Sequence, residues 1–112
     1  MYRNIRPLET EAMENGEAYR IIAAGEDLVL GLAARWESAS LHLELEGRVR
    51  LLSPRSPVDP PEVRAKVDTL IRLKEQGFGL FHYDDGWVVA SKPVSRAEVS
   101  AATERAIEVL KA

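Results

Sequence analysis

The sequence predicts an α+β domain: an antiparallel sheet of about five strands, in the order (α)-β-β-β-α-β-β-α, with helices packed on one face. Three observations carry that expectation. Apolar and polar residues alternate through 17–24, 28–36 and 41–52, the period-two pattern of strands with one buried face. Asp85-Gly86 stands between the apolar runs 78–83 and 87–91, the strongest short hairpin signal. Two helix starts are written alike, Val58-Asp59-Pro60-Pro61-Glu62-Val63 and Val94-Ser95-Arg96-Ala97-Glu98-Val99. In each, Asp59 or Ser95 takes the N-cap, Glu62 or Glu98 reaches back to the cap N–H, and the flanking valines meet across it.

Element by element, residues 2–7 read as an extended lead into a short helix over 8–14, closed by Asn15-Gly16, in which only Leu8 and Ala12 can face a core. The first sixteen residues are therefore expected to be a loosely ordered lead to a single domain spanning 1–112. The first strand, 17–24, has Tyr19, Ile21 and Ala23 on one parity, and Gly25-Glu26-Asp27 turns the chain. The second strand puts Leu28, Leu30, Leu32, Ala34 and Trp36 on one face. The third sets Leu41, Leu43, Leu45, Val49 and Leu51 against His42, Glu44, Glu46, Arg48 and Arg50. A tight turn at Glu46-Gly47 would pair Leu45 with Arg48 and mix core with solvent, so the strand runs straight through, with Gly47 marking a bulge or a close approach.

A crossing loop over 53–58 leads to a helix over 60–76. Prolines suit its first turn, and Val63, Val67, Leu70, Ile71 and Lys74 form its stripe. Gly77 is placed for a left-handed C-cap, with Phe78 packing back on Leu73. In the hairpin that follows, Tyr83 faces Val88 and Phe81 faces Ala90, while Leu80, Trp87 and Val89 occupy the other face. The last helix, over 96–110, buries Val99, Ala102, Thr103, Ala106, Ile107 and Leu110.

Composition excludes several function classes. The formal charge of −3 is spread evenly, −2 through Val58 and −1 beyond it, so no basic block argues for nucleic acid or an anionic membrane. No eighteen-residue apolar run or signal peptide is present, which points away from the membrane. The absence of cysteine removes disulfides and thiolate chemistry and fits a cytoplasmic protein. Gln76 is the only glutamine, and Asn4 and Asn15 the only asparagines, among many Arg and Glu, a bias of thermophilic chains.

Enzyme signatures are missing: there is no Gly-rich phosphate loop and no Gly-x-Ser-x-Gly. The expectation is a protein that is not an enzyme, with no catalytic residue, metal or cofactor. His82 and Asp84 could point the same way with Asp85 close by, but a metal needs three or four ligands, and a turn explains the acids. Two readings of the strand aromatics compete. Tyr19, Trp36 and Trp87 with Arg35, Arg48 and Arg50 form a candidate interaction surface, of a kind that stacks and neutralises single-stranded nucleic acid. Alternatively the rings are core, and Glu44 and Glu46 balance Arg48 and Arg50; the acidic net charge favours this.

Apolar residues also occupy both strand faces, with Leu80, Trp87 and Val89 opposing Phe81, Tyr83, Val88 and Ala90, and Val29 and Ala33 opposing the leucine face. Helices cover one side, and the other asks for a partner, a second copy or a ligand, unless the terminal segment 2–8 folds over it.

In its second half the chain resembles the YbjN family and the type III secretion chaperone-like fold grouped with it. The likeness runs from Leu70-Ile71-x-Leu73 through Phe78-x-Leu80-Phe81 to Asp84-Asp85-Gly86-Trp87-Val88-Val89 and a Ser-x-x-Glu-started helix. The resemblance implies a small, acidic, often dimeric protein that binds other polypeptides and carries no catalytic residues. The combined expectation is a non-enzymatic homodimer acting as a chaperone-like or adaptor module for a polypeptide partner. Single-stranded nucleic-acid binding is the alternative.

Overall fold

The computed structural model describes residues 6–52 and 59–111; of the extended lead expected over 2–7, residues 2–5 lie outside the described residues, as do the loop 53–58 and the Val58 half of the first cap, while residues 6 and 7 are helical and begin α1. The elements are α1 (Arg6–Asn15), β1 (Glu17–Ala24), β2 (Leu28–Glu37), β3 (Ser40–Arg50), α2 (Pro60–Glu75), β4 (Gly79–Asp84), β5 (Trp87–Val94) and α3 (Val99–Lys111). The five strands form one sheet in the order β1-β2-β3-β5-β4 with antiparallel neighbours throughout. This is the α+β architecture expected from the alternating pattern.

The core lies between the helices and one sheet face. Leu30, Leu32 and Ala34 of β2 oppose Gly47, Leu45 and Leu43 of β3, and beyond them Ala90 and Val94 of β5 continue the same face. Helices close it with Leu8, Ala12, Leu73, Val99, Ala102 and Ala106. Leu8, Leu30, Leu32, Leu45 and Leu73 are completely buried, each stabilising the fold by roughly 2 kcal/mol. β3 runs unbroken through Gly47, in register with Leu30 and Ala90. The glycine marks a close approach, since a Cβ there would lie 3.4 Å from Leu73 and 3.7 Å from Phe78.

The helix ends follow the expected chemistry, with one exception. α2 closes in a Schellman motif: the Phe78 N–H donates to the Leu73 carbonyl (3.1 Å), the Gly77 N–H donates to that of Lys74 (3.0 Å), and Gly77 has φ +97. At the other end Asp59 holds the N-cap backbone position but makes no side-chain cap bond. Pro60 and Pro61 supply no N–H at the first two helical positions, which removes the N2 donor that an Asp cap uses.

The second cap forms in full ahead of α3. The Glu98 N–H donates to Ser95 Oγ (3.2 Å), the Ser95 N–H donates to Glu98 Oε1 (3.3 Å), and Val94 and Val99 are both buried. The regular helix begins at Val99 rather than Arg96, because 96–98 form the capped turn. Bonds from Ser95 hold the Glu98 carboxyl below the usual carboxylate range. A lowered folded-state pKa means stabilisation that is complete above the ordinary glutamate value near 4.3 and lost as pH falls through the lower folded value. Ser95→Ala is expected to cost about 1 kcal/mol at pH 7 and less in acid, checked by chemical denaturation at both pH values.

Three packing details differ from the sequence reading. α2 buries Thr69 and Leu73, leaving Val67 and Ile71 exposed, so its stripe is rotated from the expected Val63–Val67–Leu70–Ile71 line. The face of α2 is set by Leu73 seating on Gly47 with Phe78, a contact between distant residues. In β1 the register shifts between Ile21 and Ala23, so Ala23 leaves the face shared by Tyr19 and Ile21. In the second hairpin Tyr83 pairs with Val88 as expected, but the register shifts between Gly79 and His82, and the expected Phe81–Ala90 pairing falls in the irregular stretch.

Two hairpins turn on positive-φ pairs. Asp85 (φ 47) and Gly86 (φ 89) suit the type I′ turn their residue types announce. The β2–β3 turn uses Ser38 (φ 52) and Ala39 (φ 61) instead, although alanine is strained there. Ser38→Asn with Ala39→Gly is expected to stabilise the chain by about 1 kcal/mol, read as a melting temperature raised by roughly 4 °C.

Candidate interaction surface

Five of the six residues singled out from sequence share the sheet face away from the helices. Tyr19, Arg35, Arg48, Arg50 and Trp87 all sit there, across β1, β2, β3 and β5, by register with Ala33, Glu17, Val29 and one another. Trp36 does not join them. It pairs with Leu41 on the helix-side parity at the end of β2 and is half-exposed.

That open face carries its own cover. The Tyr19 ring lies over Gly31, where a Cβ would fall inside it. Arg48 Nε donates to Glu46 Oε1 at 2.8 Å, and the Arg50 guanidinium stacks 4.7 Å above the Trp87 ring. Beneath these side chains Val89 is only 5% exposed while lying outside the core cluster. Burial, reinforced by the Glu46 carboxylate, raises the Tyr19 pKa, and the nearby Arg48 partly offsets this. The bond to Glu46 raises the Arg48 pKa. The phenol therefore stays neutral and the guanidinium charged at neutral pH. His82 and Asp84 of β4 also face this side, opposite Val89 and Trp87. Among the described residues no group of three or more His, Cys, Asp or Glu is placed to hold a metal.

Exposed apolar side chains occur both on this face, at Tyr19 and Ile21, and away from it, along β4 and on α2. Leu80 is 83% exposed, Tyr83 58%, Ile71 52%, Val67 39% and Phe81 37%. Lys66 Nζ lies 3.5 Å from Asp27 in the β1–β2 turn, Leu73 sits over Gly47, and the Gln76 carbonyl accepts from Lys92 Nζ at 2.6 Å. α2 thus descends antiparallel to β3 and towards the start of β4. With Thr69 and Leu73 against the sheet, Ile71, midway between them in sequence, points away from it into solvent. Tyr83, opposite Val88, projects from the helix side of β4 and is exposed.

Leu80 adds a strained backbone (φ 52) at the register shift of this edge strand. An exposed leucine in a left-handed conformation has both a backbone cost and an unburied side chain. The sequence reading set Phe81 opposite Ala90 and did not anticipate the register shift at this exposed edge.

Compared with known proteins, the chain matches no family model, no curated protein and no solved structure. Among the described residues no helix is long and apolar enough to cross a membrane.

Proposed function

We propose that the chain is a homodimeric, non-enzymatic module that binds polypeptides, self-associating through the β4 edge. The observation that carries this is the exposed apolar run on that edge strand: Leu80, Phe81 and Tyr83 lie along β4, at the end of the sheet order. A two-fold axis sets such a patch against its own copy and removes the edge in one step. The resemblance to the YbjN and chaperone-like fold supports the same reading.

The nucleic-acid alternative has one observation in its favour, the Tyr19–Arg48–Arg50–Trp87 grouping. Its arginines are already engaged with Glu46 and the Trp87 ring, which leaves less charge and less ring face for phosphate and base.

The two readings separate in a pair of assays. The module is expected to slow the aggregation of reduced insulin at a twofold molar excess, and to leave a fluorescent oligothymidylate unshifted at low salt. An unaltered aggregation rate together with salt-sensitive oligonucleotide binding would reverse the assignment.

A further inference from the structure

We infer that the β4 edge builds a zinc-class metal site across the two-fold axis, with His82 and Asp84 of each copy as its ligands. This rests on the dimer reading above and names a ligand for that interface. One chain supplies only half of such a site, in keeping with the lack of any group of three ligands among its described residues.

The hydrogen-bond parity of the hairpin sets the geometry. Asp84 pairs with Trp87 across the turn at Asp85-Gly86, and His82 pairs with Val89. In a two-residue hairpin the pair that closes the turn exchanges hydrogen bonds, and such pairs then alternate along the ladder. Asp84 and His82 therefore spend their N–H and C=O groups on β5, and Tyr83, between them, turns both of its backbone groups to the open edge. β4 ends the sheet order. Towards its start, the register shift after Gly79 and the left-handed Leu80 (φ 52) break the regular ladder. The regular stretch 82–84 is thus centred on Tyr83, and a second copy pairing antiparallel to it bonds Tyr83 to its own counterpart.

That register sets His82 opposite Asp84 of the second copy, twice, in positions where the Cβ atoms lie about 5 Å apart. Along each strand the two residues are separated by about 7 Å. Both occupy the sheet face away from the helices, so two imidazoles and two carboxylates surround one point of the axis. Both are exposed, and among the described residues neither makes a hydrogen bond or an ion pair. Zinc takes four nitrogen and oxygen donors in a tetrahedron, and imidazoles select a first-row transition ion over magnesium or calcium. Arg48 and Arg50 of β3 approach from the far side of Val89 and Trp87. Glu46 holds the first and the Trp87 ring the second. The two aspartates neutralise a divalent ion, so the filled site sets no net charge beside these arginines.

The test is sedimentation velocity of the full chain, stripped with a chelator and then run with and without zinc chloride. Zinc at about ten times its dissociation constant from the dimer is expected to tighten self-association about tenfold. After dialysis the metal content is expected to be one zinc per two chains, as a site on the axis requires. Cobalt(II) in its place is expected to give the visible absorption of a tetrahedral centre. His82→Ala is expected to keep the metal-free association and to lose the response to zinc, while His42→Ala, at the other histidine, keeps both. A zinc response that survives His82→Ala, one zinc bound per single chain, or a dimer indifferent to zinc overturns the site and leaves the dimer standing. A chain that stays monomeric with and without zinc overturns both.

Discussion

Gly86→Ala is expected to destabilise the domain by about 3 kcal/mol and to lower its melting temperature by roughly 10 °C or more. Gly86 has φ +89, where a Cβ is opposed by the following carbonyl. A Cβ there would also collide with the Leu52 carbonyl oxygen, which is backbone and cannot swing aside. The same glycine receives the N–H groups of Leu51 (2.8 Å) and Leu52 (3.1 Å) on its own carbonyl. That tie binds the second hairpin to the end of β3, so moving Gly86 loosens two elements together. Thermal denaturation followed by circular dichroism gives the value directly. A loss below about 1 kcal/mol would mean that the turn relaxes without strain.

Tyr83→Glu is expected to weaken self-association about 100-fold or more, the scale of a central interface residue, while leaving the fold intact because the side chain is half-exposed in the single chain. A glutamate there would be buried against an identical glutamate across a two-fold axis, without a partner charge. Ile21→Glu is the control: Ile21 is 57% exposed, but it lies on the opposite sheet face, and its substitution is expected to leave association unchanged. Sedimentation velocity of both variants across a concentration series checks the pair. Dissociation of the Ile21 variant with retention of the Tyr83 variant would move the interface to the open face.

Local rules carried much of this architecture. Face parity alone chose a continuous β3 over a turn at Glu46-Gly47, and Asp85-Gly86, Gly77 and Ser95–Glu98 act where their residue types place them. What was not legible depends on contacts between distant residues. The stripe of α2 followed apolar spacing, but the buried face centres on Thr69 and Leu73, because Leu73 finds Gly47 across the core. The Glu9–Arg96 pair joins residues 87 positions apart, and no periodicity relates them. The candidate surface was half legible. Composition singled out Tyr19, Trp36, Trp87, Arg35, Arg48 and Arg50, but only the cross-strand register shows that all except Trp36 share a face, and only the packed structure shows the exposed apolar run along the β4 edge.

The central claim is that this surface meets its own copy. Multi-angle light scattering behind size exclusion, at a concentration on the order of 100 μM and so above a micromolar Kd, tests it most directly. The account predicts a mass twice that of the 12.5 kDa chain, falling towards one chain for Tyr83→Glu. A wild-type mass of 12.5 kDa at that concentration would contradict it.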